Sequence, residues 1–323
     1  MRFYFSHLCS SFRTLRGICL KINFFKWIRD VRHWKTIYLF MMISIVTYSM
    51  IGLCRQLSVS SIQKVLQLLT GQKIFALLFL GCLAVTPMIV YDKVYADKLS
   101  VPSRGGFFNM TSWSLNVVNN VAGTGGMVGA SLRYALLGQH VNAHTATKMS
   151  FHISLFSLSG LSINYSISAL LIKNNNVSIL AGSLSYISFL IIVYPLIPLM
   201  LKTPSLKFPT KLILLMTSVI EWFACFGIVL LSNAILNLNI DLFVLYQSYF
   251  FSAALGVASL IPGSAGSFDL SLTETLKPAG VLPNTSASLL ILYRLFYYVI
   301  PTILAVVWFI LLKTNILQSK ANK

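Results

Sequence analysis

The chain has 323 residues, 56% of them hydrophobic and only 10% charged, with a formal net charge of +18. A soluble domain carries about a quarter of its residues as charges, and several apolar runs here reach about 20 residues, enough to cross a hydrocarbon core of roughly 30 Å. These features exclude an ordinary soluble enzyme, and the short alternating segments of a membrane barrel are missing.

The fold class is therefore an all-α polytopic membrane protein. The cations sit in the N-terminal tail and in short loops between apolar runs, as the positive-inside rule describes, so no nucleic acid partner is expected. Cys9, Cys19, Cys54, Cys82 and Cys225 are scattered without paired spacing, which gives neither a disulfide framework nor a metal site.

Residues 1–35 form a basic tail in which Arg2, Arg13, Arg16, Lys21, Lys26, Arg29, Arg32 and Lys35 alternate with Phe3, Phe5, Phe12, Phe24, Phe25, Trp27 and Trp34. No apolar core follows promptly, as a signal peptide would require. The tail has two readings: a segment lying on an anionic leaflet, or a solvated tail that only fixes orientation. The first span is expected at 36–54. An interfacial helix is expected at 58–72, where Ile62, Val65, Leu66 and Leu69 recur at helical spacing. The second span is expected at 74–91, closing on Tyr91, Asp92 and Lys93.

Residues 107–121 carry Asn109, Asn116, Asn119 and Asn120. Gly123, Gly125, Gly126 and Gly129 follow, then Arg133. So much Asn and Gly suits two half-helices meeting at the glycines, and only small residues allowing close helix packing is the alternative. Spans follow at 150–172, 177–201, 212–236 and 243–261. A second break then comes at Pro262, Gly263 and Gly266, where a proline removes a donor beside two glycines. An amphipathic piece runs to Leu276. The last span, 288–312, contains Pro301 as an expected kink, and a short tail closes the chain. The division is thus tail 1–35, membrane domain 36–313 and tail 314–323.

If both breaks are hairpins that return to their own side, six full crossings remain. The tail cations then share the cytoplasmic side with Lys93, Lys98, Arg104, Arg133, Lys148, Lys202, Lys207, Lys211, Lys313, Lys320 and Lys323. Only Arg55, Lys64, Lys73, Lys173 and Lys277 lie outside. This places both termini in the cytoplasm and one hairpin on each side, the arrangement of an inverted repeat with its site between the halves.

Charges at membrane depth are costly and point to function. The candidates are Asp92, Arg133, Glu221, Asp269 and Arg294. Both signs occur, which suits a zwitterionic or cationic lipid headgroup: arginine holds phosphate through paired hydrogen bonds, and carboxylates hold an amine. The alternative is that they pair with one another and fix helix packing. Glu274 is expected on a solvated face. His140, His144 and His152 share no ligand spacing, so no metal and no cofactor is expected. No Gly-x-Ser-x-Gly elbow, Walker loop or His-Glu-x-x-His occurs, and no catalytic residue is assigned.

Five stretches, in order, resemble the lysylphosphatidylglycerol synthase transmembrane region, the flippase part of the bacterial multiple peptide resistance factor. They are Tyr91-Asp92; Asn119-Asn120 through Gly125-Gly126 and Gly129-Ala130 to Leu132-Arg133; Ile220-Glu221-Trp222; Ser259 to Asp269; and Leu292-Tyr293-Arg294 with Tyr297-Tyr298 and Pro301. The loop departs from the family's Pro-Gly-Gly in having Gly263-Ser264. The resemblance implies a flippase of the bacterial cell membrane that moves aminoacylated phosphatidylglycerol to the outer leaflet. Such a flippase lowers surface negative charge and resists cationic antimicrobial peptides. It implies that Asp92, Arg133, Glu221, Asp269 and Arg294 line the lipid path, in one headgroup site where Asp269 joins Arg133, Glu221 and Arg294. The expected partners are anionic and aminoacylated phospholipids and a separate lipid synthase, with a homo-oligomer left open. Family members continue into an acyltransferase-like domain that this sequence does not contain. The chain by itself is therefore not expected to synthesise the lipid, and the rival readings are one part of a split or truncated phosphatidylglycerol lysyltransferase and an exporter of another lipid.

Overall fold

A computed structural model describes residues 59–100, 103, 105–122, 127–137, 142–170, 195–200, 206–259, 261–264 and 266–321. The tail 1–35, the first expected span 36–54, most of the expected span 177–201, and Gly123, Gly125 and Gly126 lie outside them. All regular structure among the described residues is helical. The helices are α1 (Val59–Leu68), α2 (Gly71–Val85), α3 (Met88–Lys98), α4 (Gly106–Ala122), α5 (Met127–Leu137) and α6 (Ala143–Leu170). After them come α7 (Leu196–Met200), α8 (Phe208–Ile235), α9 (Leu242–Ala258), α10 (Ser267–Leu276), α11 (Pro283–Arg294) and α12 (Ile300–Ala321). Among the described residues, three stretches are long and apolar enough to cross a membrane: Gly71–Lys98, Phe208–Ile235 and Pro283–Leu312. The protein is a helical membrane protein.

The second span departs from expectation in a way that moves a site residue. Pro87 has no N–H and cannot continue the α2 ladder. The chain makes one turn at Thr86 and Pro87 and resumes as α3, which runs to Lys98 rather than ending near Tyr91. The Cys82 carbonyl freed by the break takes the Thr86 hydroxyl at 2.9 Å and the Trp113 indole N–H at 3.2 Å. A backbone acceptor away from water must find such partners. Asp92 consequently lies inside the helix and only 4% exposed, instead of at a span end where charge is cheap.

Helix α8 organises the packing, touching α2, α3, α6, α7, α9, α11 and the turn that follows α11. Its sequence separates two faces. Ile213, Met216, Ile220 and Phe223 are exposed, whereas Leu214, Ser218, Glu221, Cys225 and Ser232 are buried. The polar positions thus face the protein and the large apolar ones face outward, as suits a lipid solvent. Small residues bring α6 against α8. The Gly160 N–H donates to the Ser218 hydroxyl at 2.7 Å, and that hydroxyl donates to the Ser157 carbonyl at 2.6 Å. A Cβ on Gly160 would stand 2.3 Å from Ser218 backbone atoms, so only glycine permits this approach.

Both breaks make helical hairpins. Across the first, Asn119 faces Gly129 and Asn116 faces Arg133, so α4 and α5 run antiparallel. Across the second, Ser252 meets Ser271 and Ser259 meets Ser267, so α9 and α10 do the same. The second turn needs left-handed backbone at Gly263 (φ 60°), Ser264 (φ 53°) and Gly266 (φ 85°), conformations that glycine adopts without the cost a Cβ brings.

The expected kink at Pro301 is a π turn over Leu295–Val299. Proline cannot donate to the Tyr297 carbonyl and its ring crowds that position. The ladder slips by one, the Ile300 N–H reaching the Leu295 carbonyl, and α12 continues through Ala321, past the expected end at Leu312.

Candidate functional site

Helices α3, α4, α5 and α6 each contribute to one buried cluster. Arg133 is 2% exposed. Its Nε donates to Asp92 Oδ1 at 2.7 Å, its Nη2 to Asn116 Oδ1 at 3.0 Å and its Nη1 to Ser150 Oγ at 3.2 Å. Asp92 Oδ2 accepts from Ser112 Oγ at 2.6 Å and from Asn116 Nδ2 at 2.7 Å. Asn116 closes a ring by donating to the carboxylate while accepting from the guanidinium. Turning its amide over would break both bonds, so the two charges fix its orientation. The backbone approach is tight here too. Asn119 Oδ1 takes the Gly129 N–H at 2.9 Å, and a Cβ on Gly129 would stand 2.6 Å from Arg133 Nη1.

The second cluster is built differently. Arg294, at the end of α11, is 5% exposed and donates to Asp269 Oδ1 through Nε at 3.0 Å and Nη2 at 2.8 Å. Its remaining donors reach backbone carbonyls of the broken turn, Gly263 at 2.5 Å and Ser264 at 3.2 Å. Asp269 sits in the first turn of α10, and its Oδ2 accepts from the Gly266 N–H at 3.0 Å. A carboxylate there satisfies an orphan donor and meets the positive end of the helix. The guanidinium lies 5.3 Å from the Phe268 ring centroid and 4.9 Å from that of Tyr298, within cation–π range.

Glu221 stands apart from both. It is 3% exposed, and it accepts from the Tyr91 hydroxyl and from the Ser157 hydroxyl, each at 3.1 Å. No Lys, Arg or His pairs with it among the described residues. Tyr91 is the neighbour of Asp92. On the other side, Cys225, one turn along α8, lies against the hydroxyls of Tyr297 and Tyr249, and Tyr249 shares a hydrogen bond of 3.3 Å with Tyr293. Tyr293, Tyr297, Tyr298 and Phe268 stack or meet edge-on beside Arg294. Glu221 is thus held by Tyr91, which precedes Asp92 in α3, and lies one turn from Cys225 at the tyrosine cluster beside Arg294.

The five residues singled out from sequence are all buried. The single cluster expected for Asp269, Arg133, Glu221 and Arg294 is two separate ion pairs with a carboxylate between them: Asp269 joins Arg294, and Arg133 joins Asp92. The sequence reading missed Ser112, Ser150 and Ser157. A signal existed for one of these, because Ser112, Asn116 and Asn119 recur every three or four residues and so share one face of α4. Glu274 forms a surface pair with Lys277, both about half exposed, worth at most about 1 kcal/mol.

No family model matches the chain. It is similar to phosphatidylglycerol lysyltransferases. It is 26% identical to that of Staphylococcus aureus strain MRSA252 over 241 residues, which cover 72% of this chain and 28% of the relative. The figures are the same for the enzyme of strain COL. With that of Bacillus subtilis strain 168, identity is 26% over 269 residues, 77% of this chain and 31% of the relative. The chain thus spans under a third of the length of the curated relatives it matches.

Proposed function

We propose that this chain is a membrane lipid flippase that moves aminoacylated phosphatidylglycerol to the outer leaflet of a bacterial cell membrane. In this reading, six crossings and two opposed hairpins hold the site. The observation that carries it is the similarity, over about three quarters of the chain, to proteins named for lysyl transfer to phosphatidylglycerol. The geometry supplies chemistry that suits such a lipid. Two guanidiniums can hold the phosphate, and Asp92, Asp269 and Glu221 can hold the ammonium groups of a lysyl headgroup. Each arginine is occupied by its own aspartate in this state, so the lipid phosphate enters by replacing a carboxylate. The displaced carboxylate takes an ammonium of the same headgroup, so the exchange leaves no buried charge uncompensated. Acyl chains remain in bilayer beside the apolar outer face of α8. Moving lysyl lipid outward makes the surface less negative and weakens cationic peptides.

A second reading follows from the coverage. Because the match spans under a third of each relative, the chain also fits the membrane part of a truncated or split phosphatidylglycerol lysyltransferase. Expression beside a separate lipid synthase distinguishes the two. An amine-reactive label that cannot cross the membrane should report more outer-leaflet aminoacyl lipid with the chain than with synthase alone, at equal total lipid. No increase in outer-leaflet lipid would reject the flippase. A rise in total lipid, with the outer fraction unchanged, would favour the synthase part.

A further inference from the structure

The three buried carboxylates are not equivalent. Asp269 accepts only from N–H groups, those of Arg294 and the Gly266 backbone. Asp92 accepts from the Arg133 and Asn116 N–H groups and from one hydroxyl. An N–H cannot accept in return, and each of these two is paired with a guanidinium, so both settings favour a charged carboxylate. Glu221 accepts from two hydroxyls alone, those of Tyr91 and Ser157. A hydroxyl donates or accepts by rotating its hydrogen. The same two oxygens therefore serve a carboxylate, by donating to it, and a carboxylic acid, by accepting its proton. No other buried carboxylate among the described residues is held this way.

Position reinforces the point. Glu221 is the fourteenth of the 28 residues of α8 and lies midway along an apolar stretch long enough to span a bilayer. The groups around it are neutral. The phenol of Tyr91 faces it from α3, that of Tyr297 from the π turn, and the Cys225 thiol lies one turn along α8. Helix α6 presents Ser157. Helix α9 presents Tyr249, and α11 presents Tyr293, both bound to each other, while Tyr246 of α9 donates to Asn164 of α6. Cys82 on α2 is half-buried, and α7 carries no titratable side chain. The grouped titratable side chains along α8 and α6 are Lys211, Lys148 and His152. Lys211 lies ten residues before Glu221, about 15 Å along the helix axis. A lone carboxylate at such depth carries a heavy desolvation cost that a bound proton removes.

We propose that Glu221 is a proton-binding site, loaded from one side of the membrane and discharged to the other as the chain moves its lipid, so that a proton gradient drives transport. The proposal rests on the flippase reading above. In the loading step a proton adds to a Glu221 Oε, and the Ser157 or Tyr91 hydroxyl turns from donor to acceptor. In discharge the O–H bond breaks and the proton leaves to the opposite side. The Tyr91–Asp92 neighbourhood lies toward one ion pair and the tyrosine cluster toward the other.

The test uses the purified full chain in proteoliposomes holding tracer lysylphosphatidylglycerol, with a pH gradient imposed in either direction. One proton per lipid shifts the ratio of lipid between leaflets by about tenfold per pH unit, with a sign that follows the gradient. Infrared difference spectra of the same protein should show the C=O stretch of a protonated carboxylic acid at neutral pH, absent from Glu221→Gln. Glu221→Asp should move that band rather than delete it, which preserves the assignment if the Gln variant does not fold. Lipid movement indifferent to the gradient would overturn the coupling. A spectrum without a protonated acid assignable to Glu221 would overturn the site. A Glu221 band in protein that moves no lipid at any pH would leave the proton site standing and reject the flippase reading instead.

Discussion

The two hairpins use the same ion pair in opposite ways. At the first, Arg133 and Asp92 are held by side chains from four helices, and Asn116 bridges both charges. At the second, Arg294 and Asp269 are held by the broken backbone itself, through the Gly263 and Ser264 carbonyls and the Gly266 N–H. The first pair depends on which side chains surround it; the second depends on a turn that only small residues can make. The difference teaches that a helix break can serve as the ligand set of a buried charge, because the carbonyls and amides it frees must find partners anyway.

Removing either arginine should have the largest effect. Arg133→Ala and Arg294→Ala each leave an aspartate buried without its cation and should destabilise the protein by about 3–5 kcal/mol, measured by unfolding in detergent. Sharper for the comparison is Asn116→Leu, expected to cost about 2–3 kcal/mol because it strips a partner from both charges at once. Among the described residues, no single side chain at the second hairpin has that double role. Gly266→Ala probes the other side: a Cβ at φ 85° should cost about 1–3 kcal/mol and loosen the Asp269 contact while leaving Arg133 untouched. A loss of stability at Gly266→Ala equal to that at Arg294→Ala would show that the turn, not the pair, sustains this hairpin. The smallest effect is a gain. Ser264→Gly relieves a left-handed serine at φ 53° and should stabilise by about 1 kcal/mol.

The helices were largely legible, because apolar runs and polar punctuation govern where a membrane chain must close its own hydrogen bonds. Residues 212–236 and 243–261 lie close to α8 and α9 as observed. Two boundaries were not. Residues 74–91 read as one span, yet it breaks at Pro87, where Thr86 and Trp113 satisfy the freed Cys82 carbonyl, and the chain resumes to Lys98. Pro301 reads as a kink and is absorbed by a one-residue slip of the ladder. Glu221 and Arg294 stood out because charge is rare at depth, while Asp92 and Arg133 gained weight from the family resemblance. The pairing did not stand out, since it is set by which helices touch: Arg133 meets Asp92 across α3, α4 and α5, and nothing local to either residue encodes that contact. Ser150 and Ser157 were hidden for a related reason. They lie in a helix rich in serine, where only the neighbour across the interface tells a ligand from packing.

The account turns on whether the buried pairs serve transport or only hold helices together. The direct measurement is outer-leaflet aminoacyl lipid delivered by the double variant Asp269→Leu with Arg294→Met, beside a separate lipid synthase and at matched protein level. Replacing both charges with apolar residues of similar size removes the unpaired-charge penalty that confounds either single change. The account predicts a folded protein that delivers no lipid above synthase alone. Delivery at the wild-type rate would contradict it.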